Sequence, residues 1–195
     1  MENIKQYKTE TDFFIRKLCK SASCDLKAQT IAVAELAARI WTEHYTPIIG
    51  IGQVEYMLGK FQNAEQIYTD IQDNGYIYFA AEKAPVQHHK TGGMVGYCAV
   101  VPQDEHLLLS KLYTCKEYRR KGIAKSFLRK TAALCREEFG FDKIRLTVNK
   151  NNNETTAAYK IMGFITVGSV KTDIGGGFFM DDYVMEIGVT ELENL

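Results

Sequence analysis

Read alone, the chain predicts an α/β domain: a mixed sheet of about seven strands with helices on both faces. Three observations carry this. Apolar spacing switches between a two-residue and a helical period in the order β-α-α-β-β-β-α-β-α-β-β. A helix of crossover length joins the fourth and fifth strands, which makes them parallel with a right-handed connection. No internal repeat or low-complexity linker divides the 195 residues, so residues 13–190 read as one domain behind an extension at 1–12.

The elements follow in order. Phe13 to Leu18 reads as a first strand. Asp25 stands where an N-cap belongs, and Leu26, Thr30, Val33, Ala37, Ile40 and Trp41 recur behind it at helical spacing. This long helix is expected to end near Glu43 to Tyr45, where Pro47 and Gly50 break it. A second helical pattern runs through Val54, Met57, Leu58 and Phe61, and Asn74-Gly75 closes the helical region. Tyr76 to Ala80 and Met94 to Val101 form a hairpin around a polar loop, and His106 to Thr114 supplies the fourth strand. Then come a helix from Gly122 to Phe139, a strand from Lys143 to Val148, a short helix from Asn153 to Met162, and strands at Phe164 to Val170 and Phe178 to Ile187.

Composition excludes several functions. Lys plus Arg and Asp plus Glu both number 24, so no surplus of cations holds the chain on nucleic acid. Met1 to Lys20 mixes charges among its apolar residues and lacks the apolar core of a signal peptide, and nothing reaches membrane-spanning length. The five cysteines are scattered and never spaced Cys-x-x-Cys, which argues against a disulfide framework and a zinc site and fits a reduced, cytoplasmic setting. His88-His89 lack a third ligand at useful spacing, so they read as a solvated loop, and no metal is expected.

The most informative stretch runs from Leu112 to Ala124, a strand followed by a basic turn that enters a helix. The first turn of a helix has unpaired N–H groups and the positive end of the dipole, which together attract anions. Gly122 lets the backbone approach a bulky phosphate, and Ala124 keeps the next contact small. Arg119, Arg120 and Lys121 oppose the dipole rule at this end, a conflict that an anionic ligand resolves. As a turn by itself it reads equally as a solvated basic run. Neither Gly-x-Gly-x-x-Gly nor Gly-x-x-x-x-Gly-Lys occurs here.

Arg119-Arg120-Lys121-Gly122-Ile123-Ala124 resembles the Arg/Gln-x-x-Gly-x-Gly/Ala signature of the GNAT N-acetyltransferases. Asn152, Tyr159 and Gly163-Phe164 resemble that family's following Asn, Tyr and Gly-Phe, and the likeness extends from about Phe13 to Ile187. It implies an acyl-CoA N-acyltransferase domain, acetyl-CoA as co-substrate, and a diphosphate held by the backbone from Arg119 through Ile123 to Ala124. It further implies that the pantetheine arm pairs with the fourth strand at Leu112 and Thr114, because pantetheine's amides mimic a missing strand. Asn152 would bond the cofactor arm or cap its helix.

The resemblance makes Tyr159 the general acid that meets the leaving thiolate. A phenol near ~10 donates to a thiolate near ~8.5 only when the two are held close. Some relatives carry a Glu base at the position of Thr147, and Thr cannot act as one. Glu43, His44, Asp181 and Asp182 are the alternatives. The acceptor wall is expected to include Trp41, Glu43, His44, Tyr45, Gly175 to Gly177 and the strand through Asp182, since aromatic faces and carboxylates both attract ammonium. The end of the chain is loosely similar to polyamine-type acetyltransferases, so a polyamine or other small primary amine is the expected acceptor. A protein amino terminus or lysine, and a non-catalytic acetyl-CoA-binding module, are the alternatives. A homodimer through an open sheet edge is a further expectation.

Overall fold

A computed structural model describes residues 13–19, 25–84 and 93–193. The extension at 1–12, Cys24 and the His88-His89 pair lie outside the described residues. In chain order the elements are β1 (Phe13–Lys17), α1 (Leu26–Ile49), α2 (Ile51–Phe61), α3 (Ala64–Gln72), β2 (Ile77–Lys83), β3 (Met94–Pro102) and β4 (Leu107–Thr114). A single 3₁₀ turn (Lys116–Tyr118) leads to α4 (Ile123–Glu137), β5 (Lys143–Asn149), α5 (Asn153–Ile161), β6 (Ile165–Gly175), β7 (Phe178–Gly188) and α6 (Val189–Glu193). The strands form one sheet ordered β1-β2-β3-β4-β5-β7-β6. Only the β4–β5 pair is parallel; every other pair is antiparallel.

Helices cover both faces as expected. One core joins α1 to α3 with Tyr78, Ala80, Tyr97 and Ala99 of the sheet; the other joins α4 and α6 with Phe79, Val100, Leu109, Ile144 and Met185. Asp25 caps α1 by accepting the Lys27 amide at 2.9 Å.

Three boundaries differ from the sequence reading. α1 does not stop at Tyr45 but continues through Pro47 to Ile49. The carbonyl that Pro47 leaves without a helical donor belongs to Glu43, an exposed residue. The second helical stretch is two helices, because Asn63 interrupts it: its side-chain oxygen Oδ1 accepts the Gln66 amide at 2.8 Å and starts α3. β6 extends to Gly175, and the short terminal α6 has no counterpart in the sequence reading.

The feature that positions the site is a bulge in β4. Ala99 pairs with Lys111 but Val100 pairs with Leu109, so Ser110 has no partner. Side chains two apart on a regular strand share a face. Here Leu109 packs toward α4 while Lys111 and Tyr113 turn toward α1 to α3. On its other side β4 meets β5 at only Leu107↔Ile144 and Leu108↔Arg145 before the two strands part. The edge of β4 from Leu109 to Thr114 is therefore left without a strand partner.

A buried polar cluster holds the bulged strand. Lys111 Nζ lies 3.5 Å from Asp70 Oδ2 of α3, and both side chains are about 7% exposed. Asp70 also accepts from Tyr78 Oη at 3.0 Å and Gln66 Nε2 at 2.8 Å, and Lys111 stands over the Tyr76 and Tyr78 rings. Burial depresses the Lys111 pKa, opposed by the Asp70 charge. Removing one partner of such a pair strands the other charge. Asp70→Ala is expected to lower unfolding stability by about 3 kcal/mol or more in a urea titration followed by circular dichroism; a loss under 1 kcal/mol would show that the pair does not anchor β4.

Candidate active site

The parting of β4 and β5 opens a cavity of about 900 Å³ bounded by α1, α2, β4, β5, α5 and β7. It falls in the size range of small-molecule sites. A second hollow of about 390 Å³ continues it over the basic turn, lined by Thr114, Tyr118, Arg119, Arg120, Gly122, Ile123, Ala124 and Lys125.

The turn has the geometry of an anion site. Arg120 has φ 60° and Gly122 has φ 86°, both left-handed. Arg120 pays strain there that a glycine would not, and such strain concentrates where backbone must face a ligand. The amides of residues 120–125 make no hydrogen bond among the described residues; the ladder resumes where Ser126 N donates to Gly122 O at 2.9 Å. Converging free amides at a helix start suit a diphosphate. Arg119 and Arg120 line the hollow, whereas Lys121 turns away and stands 4.6 Å over the Tyr118 ring. Arg119 Nε also donates to the Thr114 carbonyl at 3.4 Å, so that carbonyl is partly occupied. Leu112 and Thr114 line the main cavity on the free edge of β4.

Tyr159 of α5 reaches the cavity from the α4 side, packed edge-on against Phe164 at 5.3 Å between ring centroids. Burial raises its pKa far above that of a free phenol, with the Tyr45 ring adding to the shift, so it stays protonated. Its hydroxyl makes no hydrogen bond among the described residues and is free to donate into the cavity.

Asp182 of β7 is 3% exposed and lines the cavity, and its Oδ1 has no hydrogen-bond partner among the described residues. Burial lifts its pKa from 3.8 to about 6, countered by the Thr147 hydroxyl, with Asp181 adding to the rise and Lys150 opposing it. The β5–β7 register pairs Asn149 with Asp182 and Thr147 with Val184, so Asp182 lies diagonally beside Thr147 on the same face. Alternation sends Asp181 outward, where it pairs with Lys150.

The acceptor wall expected on α1 is partly assembled. Trp41, His44 and Tyr45 line the cavity, as their i, i+3, i+4 spacing allows. Trp41 stacks on Tyr45 at 4.4 Å and tilts against Tyr113 at 5.6 Å. Burial pushes the Tyr45 phenol up to about 12, eased by Tyr113 and raised by Asp182. Burial, then the Arg119 charge, lowers the His44 pKa and keeps the imidazole neutral near pH 7.

Glu43 must be corrected. Two residues past Trp41 is about 200° around the helix, and Glu43 faces solvent, paired with Lys116 at 3.3 Å. Asn152 also sits elsewhere than expected: it is 2% exposed, makes no side-chain cap on α5 and does not line the cavity. Its amide instead lies against His44 and Tyr45, leaving Nδ2 unpaired. Gly175 to Gly177 form the hairpin tip, each at positive φ, and lie outside the cavity lining, with Gly175 and Gly176 against Tyr56. Tyr56 Oη and Lys60 Nζ donate to Ile174 O at 2.6 and 2.8 Å, and Gln53 Nε2 to Phe179 O at 2.8 Å, so the β6–β7 hairpin is latched to α2.

Met180 of the expected strand lines the cavity, and Tyr113, Ile49 and Met57 join the wall without having been assigned to it from the sequence. For Tyr113 no local signal existed, because its direction depends on the bulge.

The Acetyltransferase (GNAT) family matches residues 37–164, about two thirds of the chain. The chain belongs to the GNAT acetyltransferase family. Solved structures agree on the fold of this GNAT domain. PaiA N-acetyltransferase from Thermoplasma acidophilum, in complex with coenzyme A, is 19% identical with TM-score 0.65, covering 90% of this chain and 98% of that one. Spermidine N-acetyltransferase from Vibrio cholerae, in complex with CoA and spermine, is 16% identical with TM-score 0.60, covering 94% and 99%. A GCN5-related N-acetyltransferase from Rhodopseudomonas palustris is 12% identical with TM-score 0.66, covering 90% and 94%. No curated protein sequence matches the chain. No described helix of this GNAT chain is long and apolar enough to cross a membrane.

The raised pKa of Asp182 carries a stability cost with a defined sign. A carboxyl whose pKa rises on folding favours the fold below its unfolded pKa, and that advantage disappears as pH climbs through the folded value. Asp182→Asn is therefore expected to match the parent near pH 3.8 and to become more stable as pH rises to about 6, with a plateau above. The gain should be on the order of 2 kcal/mol, read from chemical denaturation across that range. A variant less stable than the parent at pH 7.5 would contradict the burial of this charge.

Proposed function

We propose that this GNAT chain transfers the acetyl group of acetyl-CoA to a primary amine of a small molecule. The observation that carries it is the alignment of an anion turn, a free strand edge, Tyr159 and Asp182 around one cavity. The free amides of residues 120–125 hold the diphosphate with help from Arg119 and Arg120. The edge of β4 at Leu112 and Thr114 pairs with the pantetheine amides. The acetyl thioester then stands between Tyr159 and Asp182.

The amine arrives as a cation drawn to Asp182, whose pKa near 6 leaves it ionised at neutral pH and able to take a proton. The freed nitrogen attacks the thioester carbonyl; a C–N bond forms, the C–S bond breaks, the second proton shed by the nitrogen ends on sulfur to give the thiol, and Tyr159 donates a hydrogen bond to that sulfur as it departs. A phenol so buried does not ionise in the working range, so it acts as a fixed donor. Asp182 supplies beside Thr147 the carboxylate that Thr147 lacks, which favours a working enzyme over a binding module. The latch between α2 and the β6–β7 hairpin closes one side of the wall and favours a small acceptor over a protein segment. Polyamines are what the Vibrio cholerae relatives are named for, and they define the acceptor class expected from the sequence.

Following free thiol while acetyl-CoA and amines are mixed with the protein tests this. Tyr159→Phe should lower kcat by about 100-fold with acetyl-CoA affinity held within a few-fold. For the parent, kcat/KM should fall as pH drops through about 6, and Asp182→Asn should remove that limb along with most of the rate. Absence of amine-dependent thiol release across primary amines of varied size would refute the reading.

A further inference from the structure

The two ends of the cavity differ in charge, and the difference bears on the acceptor. Toward the basic turn stand Lys116, Arg119 and Arg120, with Glu154 opposite them in the first turn of α5. Glu154 and Arg119 both act on His44, so that carboxylate shares its surroundings with an arginine charge. The apolar part of the remaining wall is Ile40, Trp41, Ile49, Met57, Tyr113 and Met180, with uncharged Gln53 and Tyr45 beside it. The six apolar side chains belong to one cluster, apart from the charged turn. Of the two carboxylates that line the cavity among the described residues, Glu154 belongs to α5, and Asp182 alone stands on β7 beside Met180.

A polyamine carries further ammonium groups a few methylenes from the one that reacts. Each must find an anion or water, because an ammonium left against apolar walls is strongly disfavoured. The other acidic residues of α1 and α2, Glu35, Glu43 and Glu55, are all exposed, and Glu43 is already paired with Lys116. Beside the apolar end, Gln53 ties β7 to α2 through the Phe179 carbonyl. A second cation entering beside Asp182 would meet Met180, Met57 and the Trp41–Tyr45 stack, whose faces attract an ammonium without supplying the charge that neutralises it.

Resting on the acetyl-transfer reading above, we propose that the acceptor is a monoamine with an apolar, preferably aromatic body, not a polyamine. Its amine meets Asp182 and its ring lies against Trp41, Tyr113 and Met180. Aromatic partners add offset or edge contacts to the burial that any apolar body gains. Asp182 serves this substrate twice, first as the only counter-ion and then as the base.

Matched amines separate the contributions. With the full chain and acetyl-CoA, thiol release is measured for hexylamine against 1,6-diaminohexane, which differ by one terminal ammonium, and for 2-phenylethylamine against spermidine. The expected result is a kcat/KM at least 10-fold higher for the monoamine in each pair. Trp41→Leu should raise KM for 2-phenylethylamine by several-fold more than for hexylamine. Met180→Glu, which adds a second carboxylate, should narrow the hexylamine advantage by 10-fold or more. Equal or better turnover of spermidine and the diamine overturns this proposal while leaving acetyl transfer intact. No turnover of any of the four overturns it as well, and calorimetry with acetyl-CoA then shows whether the wider reading falls too, through absence of binding.

Discussion

The bulge at Ser110 is the constraint on which the rest depends. One unpaired residue in β4 bends the strand away from β5 after two residue pairs and reverses the facing of everything beyond it. A regular strand would have kept Tyr113 on the α4 face with Leu109, and the gap would have closed into a continuous sheet. The bulge thus makes the opening and furnishes it in one step. Its cost is a lost ladder position and an unpaired strand edge in the middle of the sheet, where a buried edge is tolerated only if something else bonds to it. The Asp70–Lys111 cluster offsets part of that cost by tying the displaced strand to α3.

The cavity then faces two opposed electrostatic demands. At one end the helix start and two arginines favour an anion. At the other a single carboxylate sits in a wall of sulfur, aromatic and aliphatic groups and is held charged only at a cost, which its pKa of about 6 records. Burial, aided by the Arg119 charge, lowers the His44 pKa, so this imidazole does not compete as a cation with the incoming amine. Near pH 7 Tyr159 and His44 are neutral and Asp182 is ionised; burial holds the first two further from their charged forms and brings Asp182 closer to taking a proton.

Much of the fold was legible because its signals are local. Asp25 announced α1, the Gly122 turn announced α4, and the crossover length fixed β4 and β5 as parallel. What failed depended on phase or on distant partners. Pro47 reads as a stop, yet the carbonyl it leaves unpaired belongs to an exposed residue and the helix continues. Glu43 lies within two residues of Trp41 and Tyr45 in sequence, but helical rotation takes it to solvent. Asn152 fits the family pattern, and only the packing of His44 and Tyr45 over it shows where its amide points. Asp182 and Asp181 were indistinguishable until the register with β5 assigned one inward and the other to Lys150. Tyr113 left no trace in the sequence, since a bulge has no obligatory residue signature.

The β6–β7 hairpin shows how a strand with almost no core contribution still matters to the site. Along β6 only Ile174 is buried, so the strand adds little apolar burial. It pairs with β7 from Ile165 to Gly175 and carries the hairpin tip to α2, where Tyr56 and Lys60 both hold the carbonyl of Ile174. β7 is consequently gripped by β5 on one edge, by β6 on the other and by Gln53 at Phe179. That rigidity is what an unpaired buried carboxylate requires. A loose strand would let Asp182 swing toward water, return to an ordinary pKa and lose both its hold on an ammonium and its basicity at the same moment. A strand that looks dispensable by burial therefore sustains the most strongly perturbed carboxylate of the site.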